Sequence, residues 1–600
     1  MLLMRGSTLG AAGLLALGLS LGSLGFGRPI GQDDTYHLMA ARLLASEGSI
    51  RNDGTGGLGL RTHPPLYPWL VRLAQGLLGP EVWAARVVGW IAYGFTGVIL
   101  FRLVLSLGPA GTEGRAAALL SLLLYLSIPA AIQGTALVDI DAAVLPAWTV
   151  LWIGMHLTLV KRRDAMGMAG LAVATALGWG LKFSTPVVVM ALGALSLAAA
   201  RESRPALPRA WAAIALGTAA FAVAYVVWGR ERGLGLGDLV RYVVERAISG
   251  GTAGVSGPGE IAKNAGQFAL WTSPFFLLLS VGGVTWGLLG TDWRRRMLAA
   301  MGGALLLGYL VVGGTPFGFP RYHAPVLPLL CALAGLWIAP SLQGVGRRFW
   351  WAAVGMLLLV IAWNLLVVGD LLFTLRYAYR GAAAAGDPRA AALLGSTVWR
   401  GIALLAPALA VAPAIGYLVR TRAARVHLAL LGLVLGGFLA LDAIQAVAPF
   451  GIYQYGEAGT QDAARFLQAR LASRARVIAT REILFYLDKL EDPARRPLGA
   501  ATWDDPRGFL AELNDPRLGG VVYGIAANTI GQYRRVFRDP AVRQTPETRF
   551  RREEIGGYTV WWRPTSVSRR AHPRLPAGQG VPQQTVLAQG SPEGDLESGG

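Results

Sequence analysis

Residues 31–48 read GQDDTYHLMAARLLASEG. They follow a long apolar run, and two adjacent carboxylates, Asp33 and Asp34, open what reads as a short amphipathic helix. The preceding run, MLLMRGSTLGAAGLLALGLSLGSLGFG, has the basic residue, apolar core and small residues of a signal peptide. The acid pair follows it at once and many apolar stretches come after, so it reads as an uncleaved first membrane helix. The acids then stand where the chain first leaves the bilayer.

The rest of the composition agrees. The chain has 600 residues, 54% hydrophobic and 15% charged, against about 25% charged in soluble domains. Spanning helices need about 17 to 25 mostly apolar residues. Such runs lie near 8–27, 84–107, 115–132, 142–160, 165–181, 184–200, 210–228, 266–290, 297–313, 322–340, 349–373, 400–419 and 426–448. The expected fold is therefore an all-α polytopic membrane protein of about thirteen helices. The fifth and sixth are short and share a tight break at GLKFSTP.

The net charge of +20 raises nucleic acid as a partner, but the basic clusters sit elsewhere than a nucleic-acid reading requires. With the N-terminus cytoplasmic, KRRD at 161–164, RESRPALPR at 201–209, TDWRRR at 291–296, GRR at 346–348 and RTRAAR at 420–425 all fall in inner loops. That is the positive-inside bias that sets orientation, and it excludes nucleic acid. The only cysteine, Cys331, lies in an apolar run, so no intrachain disulfide forms. The Ala/Gly/Arg-rich, Lys-poor makeup fits a bacterium with GC-rich DNA, hence a plasma membrane.

An odd number of spans places the segment after residue 448 on the outer face. There DAARFLQARL has helical spacing, while RVIAT, GGVVYGI and GGYTVWWRP read as strands. The division is a membrane domain over 1–450, whose first outer loop 28–83 carries the acids, a small α/β outer-face domain over 451–563, and a Pro/Gly-rich disordered tail over 564–600. No fixed-period repeat, phosphate loop, dinucleotide fingerprint or Cys/His metal spacing is present.

Several polar groups share the outer face in this topology. Asp33 and Asp34 leave the first span there, and Arg61 and His63 in RTHPPLYPWL lie in the same loop. Asp139 and Asp141 in TALVDIDAAVLP head the fourth span, Lys182 sits at the tip between the fifth and sixth, and Arg321 in GFPRYHAPVLP precedes the tenth. Each has a plain structural explanation. The acids could cap helices, Lys182 could snorkel to the headgroups, Arg321 could bind an anionic lipid head, and His63 could be a loop residue. Their shared placement is the informative part. A carboxylate can take a proton from an acceptor hydroxyl. Cations, or a metal held by other carboxylates, can stabilise charge on a departing lipid phosphate.

The order DDTYHLMAARLLASEG, THPPLYPWL, AARVVGW resembles the GT-C membrane glycosyltransferases that use polyprenyl-phosphate sugars, in particular the dolichyl-phosphate-mannose protein mannosyltransferases and lipid A aminoarabinose transferases. VDIDAAVLPAWTVLWIG, LGWGLKFSTP and PRYHAPVLPLL resemble later motifs of that family, and the likeness covers roughly residues 1–450. It implies a GT-C fold and an inverting transfer of a sugar from a polyprenyl-phosphate donor to a lipid, glycan or protein hydroxyl outside the membrane. By the same resemblance Asp33 is the base and Asp34, where relatives carry Glu, assists it. Lys182 and Arg321 hold the donor phosphate, with Arg61 or His63 in place of a basic residue before the prolines. Asp139 and Asp141 support the site or hold a divalent metal, Mg or Mn, which some relatives need and others do not.

Two other readings compete. A transporter or lipid flippase would place its charges near the midplane, on broken helices within internal repeats. Here they lie at span ends, apart from Asp442 and Gln445 near the outer end of the last span. A non-catalytic membrane protein with a partner-binding outer domain gives the acids and bases no reason to share a face. The loop 229–265 reads equally as a lid or as a plain connector.

Overall fold

The computed structural model describes residues 2–23, 30–44, 64–135, 137–199, 203–230, 274–312, 321–342, 459–471, 475–487, 506–524, 540–556 and 558–564, with isolated positions between them. The spans expected at 349–373, 400–419 and 426–448 lie outside the described residues, as do Arg61, His63, Asp442, Gln445, nearly all of the loop 229–265 and the tail from 565 onward.

The N-terminal apolar run forms helix α1 (Leu2–Ser23), and the acid pair opens α2 (Gln32–Leu43). Then follow α3 (Leu66–Leu78), α4 (Val82–Leu107), α5 (Thr112–Ser127) and α6 (Pro129–Thr135). One continuous span, 115–132, was expected where α5 and α6 now stand. Pro129 is the reason: it donates no backbone hydrogen bond and pushes Ile128 to an extended backbone (φ −65°, ψ 124°), so one helix ends and another starts.

A π-helical turn at Ile140–Val144 runs into α7 (Leu145–Arg162), followed by α8 (Ala165–Leu181), α9 (Ser184–Ala199) and α10 (Leu207–Arg230). The membrane part continues through α11 (Pro274–Leu289), α12 (Trp293–Val312), a 3₁₀ segment at Arg321–Val326 and α13 (Leu327–Ile338). Among the described residues, four helical stretches are long and apolar enough to cross a membrane: Val82–Leu107, Ile140–Arg162, Arg204–Arg230 and Arg321–Ile338. Shorter apolar helices occupy Thr8–Ser20, Ala165–Leu181, Ser184–Ser196 and Leu279–Leu289. Ile91, Val173, Leu195, Val227 and Leu289 are exposed on these helices. A helix in water turns a polar face outward, whereas these turn leucine, isoleucine and valine outward, as lipid requires. The chain is an integral membrane protein.

Helix seams are set by small residues. A Cβ on Gly178 would lie 2.5 Å from the Trp148 ring, and Trp148 Nε1 donates to the Ala174 carbonyl of α8 at 2.7 Å. Replacing Gly178 by Val would force α7 and α8 apart; such overpacking typically costs about 1–3 kcal/mol. The expected result is a lower melting temperature of the detergent-solubilised protein, with Gly178→Ala falling in between.

The C-terminal part contains α14 (Thr460–Arg470), β1 (Arg476–Ala479), α15 (Arg481–Tyr486), α16 (Pro506–Asn514), β2 (Leu518–Gly524), α17 (Pro540–Arg549), β3 (Arg551–Ile555) and β4 (Tyr558–Trp562). Its strands form one mixed sheet in the order β1-β2-β4-β3, β1 parallel to β2 and the other pairs antiparallel. All three strand-like runs of the sequence are strands. The fourth, RREEI, escaped notice because it is an exposed, charged edge with no apolar alternation. Ile478, Phe509, Leu513, Val521 and Trp561 fill a small core of their own.

Candidate active site

The acid pair is built into the start of α2. Gly31 caps the helix in an extended conformation, and its N–H donates to Asp34 Oδ2 at 3.0 Å. Asp34 Oδ1 accepts from the Val138 amide at 2.9 Å. Arg86 of α4, fully buried, places Nη2 3.7 Å from Asp34 Oδ2, while its Nη1 donates to the Phe26 carbonyl at 2.7 Å. Both Asp34 oxygens are therefore committed. They tie the first turn of α2 to α4 and to the residue before Asp139. Asp33 lies in the same first turn, where the positive end of the helix favours an ionised carboxylate. His37 follows Asp33 by four positions in the same helix.

The second acidic motif meets α2 at His37. Its Nε2 lies 3.7 Å from Asp139 Oδ1, and its ring stands edge-on to Tyr67 of α3 at 5.0 Å. Asp139 caps the π-helical turn through the Asp141 amide (3.4 Å), so the capping expectation holds for it. It does more than cap, because Oδ2 lies 3.9 Å from Arg321 Nη1. Burial alone would raise the Asp139 pKa. Arg321, then His37 and Lys182, outweigh it and hold the carboxyl below the usual carboxylate range.

Asp141 and Lys182 form the tightest pair: Lys182 Nζ donates to both carboxylate oxygens at 2.6 Å. Burial works against the charge on Lys182, but Asp141 first and Tyr322 next more than reverse it, so its pKa is raised and it stays protonated. Tyr322 gathers the two cations: Lys182 Nζ is 4.9 Å and Arg321 Cζ 5.0 Å from its ring centroid, and Arg321 Nη2 donates to its hydroxyl at 3.2 Å. The side chains of Lys182 and Arg321 are each 15% exposed, against 6% for Asp141 and 4% for Asp139. The cations are thus the more accessible half of the cluster.

The structure brings Asp139, Asp141, Lys182 and Arg321 together, joins Asp34 to the residue before Asp139, and puts Asp33 in the same helix turn as Asp34. Sequence reasoning missed Arg86, His37, Tyr67 and Tyr322. His37 carried one legible signal, its spacing of one helical turn from Asp33. Arg86 carried none, since an arginine near the start of an apolar helix reads as a snorkelling side chain.

A divalent cation fits the two acids poorly. Among the described residues no group of three or more His, Cys, Asp or Glu side chains converges as metal ligands do. Both oxygens of Asp141 are already on Lys182, and Asp139 faces Arg321. A metal would have to displace cations that neutralise these acids.

Next to the cluster lies an apolar groove of about 610 Å³ between α3, α4, α7 and α8, lined by Leu66, Leu77, Ile91, Phe95, Trp148 and Leu181 among others. Leu66 precedes Tyr67 and Leu181 precedes Lys182, so two of the groove's lining residues are chain neighbours of residues in the charged cluster.

Residues 62–228 match the family model of the dolichyl-phosphate-mannose-protein mannosyltransferases. The match takes in Asp139, Asp141 and Lys182, while the acid pair and Arg321 lie outside it. Among curated proteins none matches significantly. Among solved structures, ArnT from Cupriavidus metallidurans bound to undecaprenyl phosphate superposes with a TM-score of 0.55 at 16% identity, covering 91% of this chain and 97% of that one. The same protein in the apo state gives 0.54 at 16% identity, covering 93% and 98%. The chain therefore has the membrane fold of ArnT, and over residues 62–228 it carries the sequence pattern of the dolichyl-phosphate-mannose-protein mannosyltransferases, the resemblance its motifs had suggested.

Proposed function

We propose that the protein transfers a sugar from a polyprenyl-phosphate donor to an acceptor hydroxyl on the outer face of a bacterial plasma membrane, with inversion at the anomeric carbon. The N-terminus is then cytoplasmic and the C-terminal sheet domain extracytoplasmic. The observation that carries this reading is the pair of partly exposed cations, Lys182 and Arg321, meeting at Tyr322, with an apolar groove lined by Leu181, the residue before Lys182. That combination suits a phosphate with a long hydrocarbon tail. The undecaprenyl phosphate of the similarly folded ArnT structure supports the same ligand class.

Asp33 takes the proton from the acceptor hydroxyl as its oxygen attacks the anomeric carbon. The bond from that carbon to the phosphate oxygen breaks, and both electrons leave with the lipid phosphate. Lys182 and Arg321 exchange part of their hold on Asp141 and Asp139 for the phosphate, stabilising charge as it develops. Asp34 holds α2 against Val138, so Asp33 and Asp139 keep one relative position. Arg61 and His63 in the neighbouring loop would add positive charge to the phosphate.

The test is release of free polyprenyl phosphate and appearance of glycosylated acceptor, with purified protein in liposomes and a panel of polyprenyl-phosphate sugars. Movement of intact donor across the bilayer without cleavage would instead indicate a flippase. Because the acids are served by Lys182 and Arg321, transfer is expected to be unaffected by EDTA. Turnover lost on chelation and restored by Mg or Mn would overturn that part.

A further inference from the structure

The C-terminal domain touches the acid-bearing helix directly. Helix α15 packs against α2, with the Arg42 guanidinium 3.9 Å from the centroid of the Phe485 ring. Ile483, Leu484 and Phe485 are buried in the same continuous apolar core as Leu38, Met39 and Ala41 of α2. Helix α15 is also anchored in its own domain. Tyr558 of β4 donates to Glu482 Oε1 at 3.3 Å, and the same hydroxyl lies 3.0 Å from Thr460 Oγ1 at the start of α14. A buried carboxylate tied to strand and helix keeps α15 from shifting without the sheet domain shifting too.

Helix α2 has reason to need this support. It has 12 residues, a length at which an isolated helix is marginal in water. Its first turn is held by Asp34, Val138 and Arg86. Phe485 meets its last turn, where the Arg42 cation also favours the negative end of the helix. From these contacts we infer that the C-terminal domain is a positioning element for the transfer: α15, through Phe485 and Arg42, fixes the far end of the helix that carries Asp33. Phe485 is a positioning residue, since it touches none of the reacting atoms, and this inference rests on the proposed function for its kinetic part only.

The test compares the full-length wild type with Phe485→Ala, Phe485→Tyr and Arg42→Ala. Amide hydrogen exchange over residues 32–43 is expected to speed up by about tenfold or more in Phe485→Ala, while β1, β2 and β4 keep their protection. The kcat should fall about tenfold with the donor KM unchanged, because misplacing the base costs the transition state and leaves ground-state binding intact. Phe485→Tyr keeps the ring face and should restore both. Wild-type exchange in α2 of a folded Phe485→Ala protein would overturn the inference. Should that variant lose protection in the sheet as well, Arg42→Ala decides: faster exchange in α2 with an intact sheet supports the inference, and no change overturns it. An inactive wild type would sink the proposed function while leaving the exchange comparison to judge the contact between α2 and α15.

Discussion

Asp33→Asn is expected to reduce transfer by about 10²–10⁴-fold, the range typical of a lost general base, with donor binding and folding retained. The amide keeps the size of the carboxyl and its place at the start of α2, but it cannot take the acceptor's proton. Asp34→Asn is the informative contrast. Asp34 already accepts from Gly31 and Val138 and faces buried Arg86, so its loss leaves Arg86 without its counter-charge. That variant should lose thermal stability as well as turnover, whereas Asp33→Asn should lose turnover alone. Single-turnover kinetics on vesicles, paired with melting curves in detergent, separates the two. Full activity in Asp33→Asn would place the base elsewhere.

The second large effect is at Lys182. Removing one preorganised charge from a developing anion costs about 10²–10³ in rate. Lys182→Met alone gives a confounded result, because Asp141 would be left buried without its partner, at about 3–5 kcal/mol. The double variant Asp141→Asn with Lys182→Met removes both charges together. It is expected to recover folded yield relative to Lys182→Met and to recover none of the turnover. A double variant with near wild-type turnover would show that Lys182 serves only to neutralise Asp141. Binding of polyprenyl phosphate, followed by intrinsic tryptophan fluorescence, should weaken in the double variant and stay unchanged in Asp33→Asn.

The linear order of residues was enough to identify a membrane protein, because an apolar run of some 20 residues has few other places to go. It also placed the polar clusters at helix ends, and it located three of the four strands among the described C-terminal residues, each with apolar residues to bury. The chemistry of DDTYHL, VDIDAAVLP, GLKFSTP and PRYHAP was legible as four separate signals. Tertiary structure decided how those signals pair. Asp141 goes to Lys182, Asp139 lies between His37 and Arg321, and Asp34 goes to an arginine in a different helix. The longest of these pairings, Asp139 with Arg321, joins residues far apart in the chain, and no local propensity links such positions. They follow from which helices pack together, and that depends on small residues such as Gly178 letting neighbouring backbones close. The same packing gives each Asp34 oxygen a partner and ties α2 to Val138 and Arg86. It also brought α15 onto α2, a contact between the two ends of the chain that arises only when apolar faces distant in sequence are buried against each other.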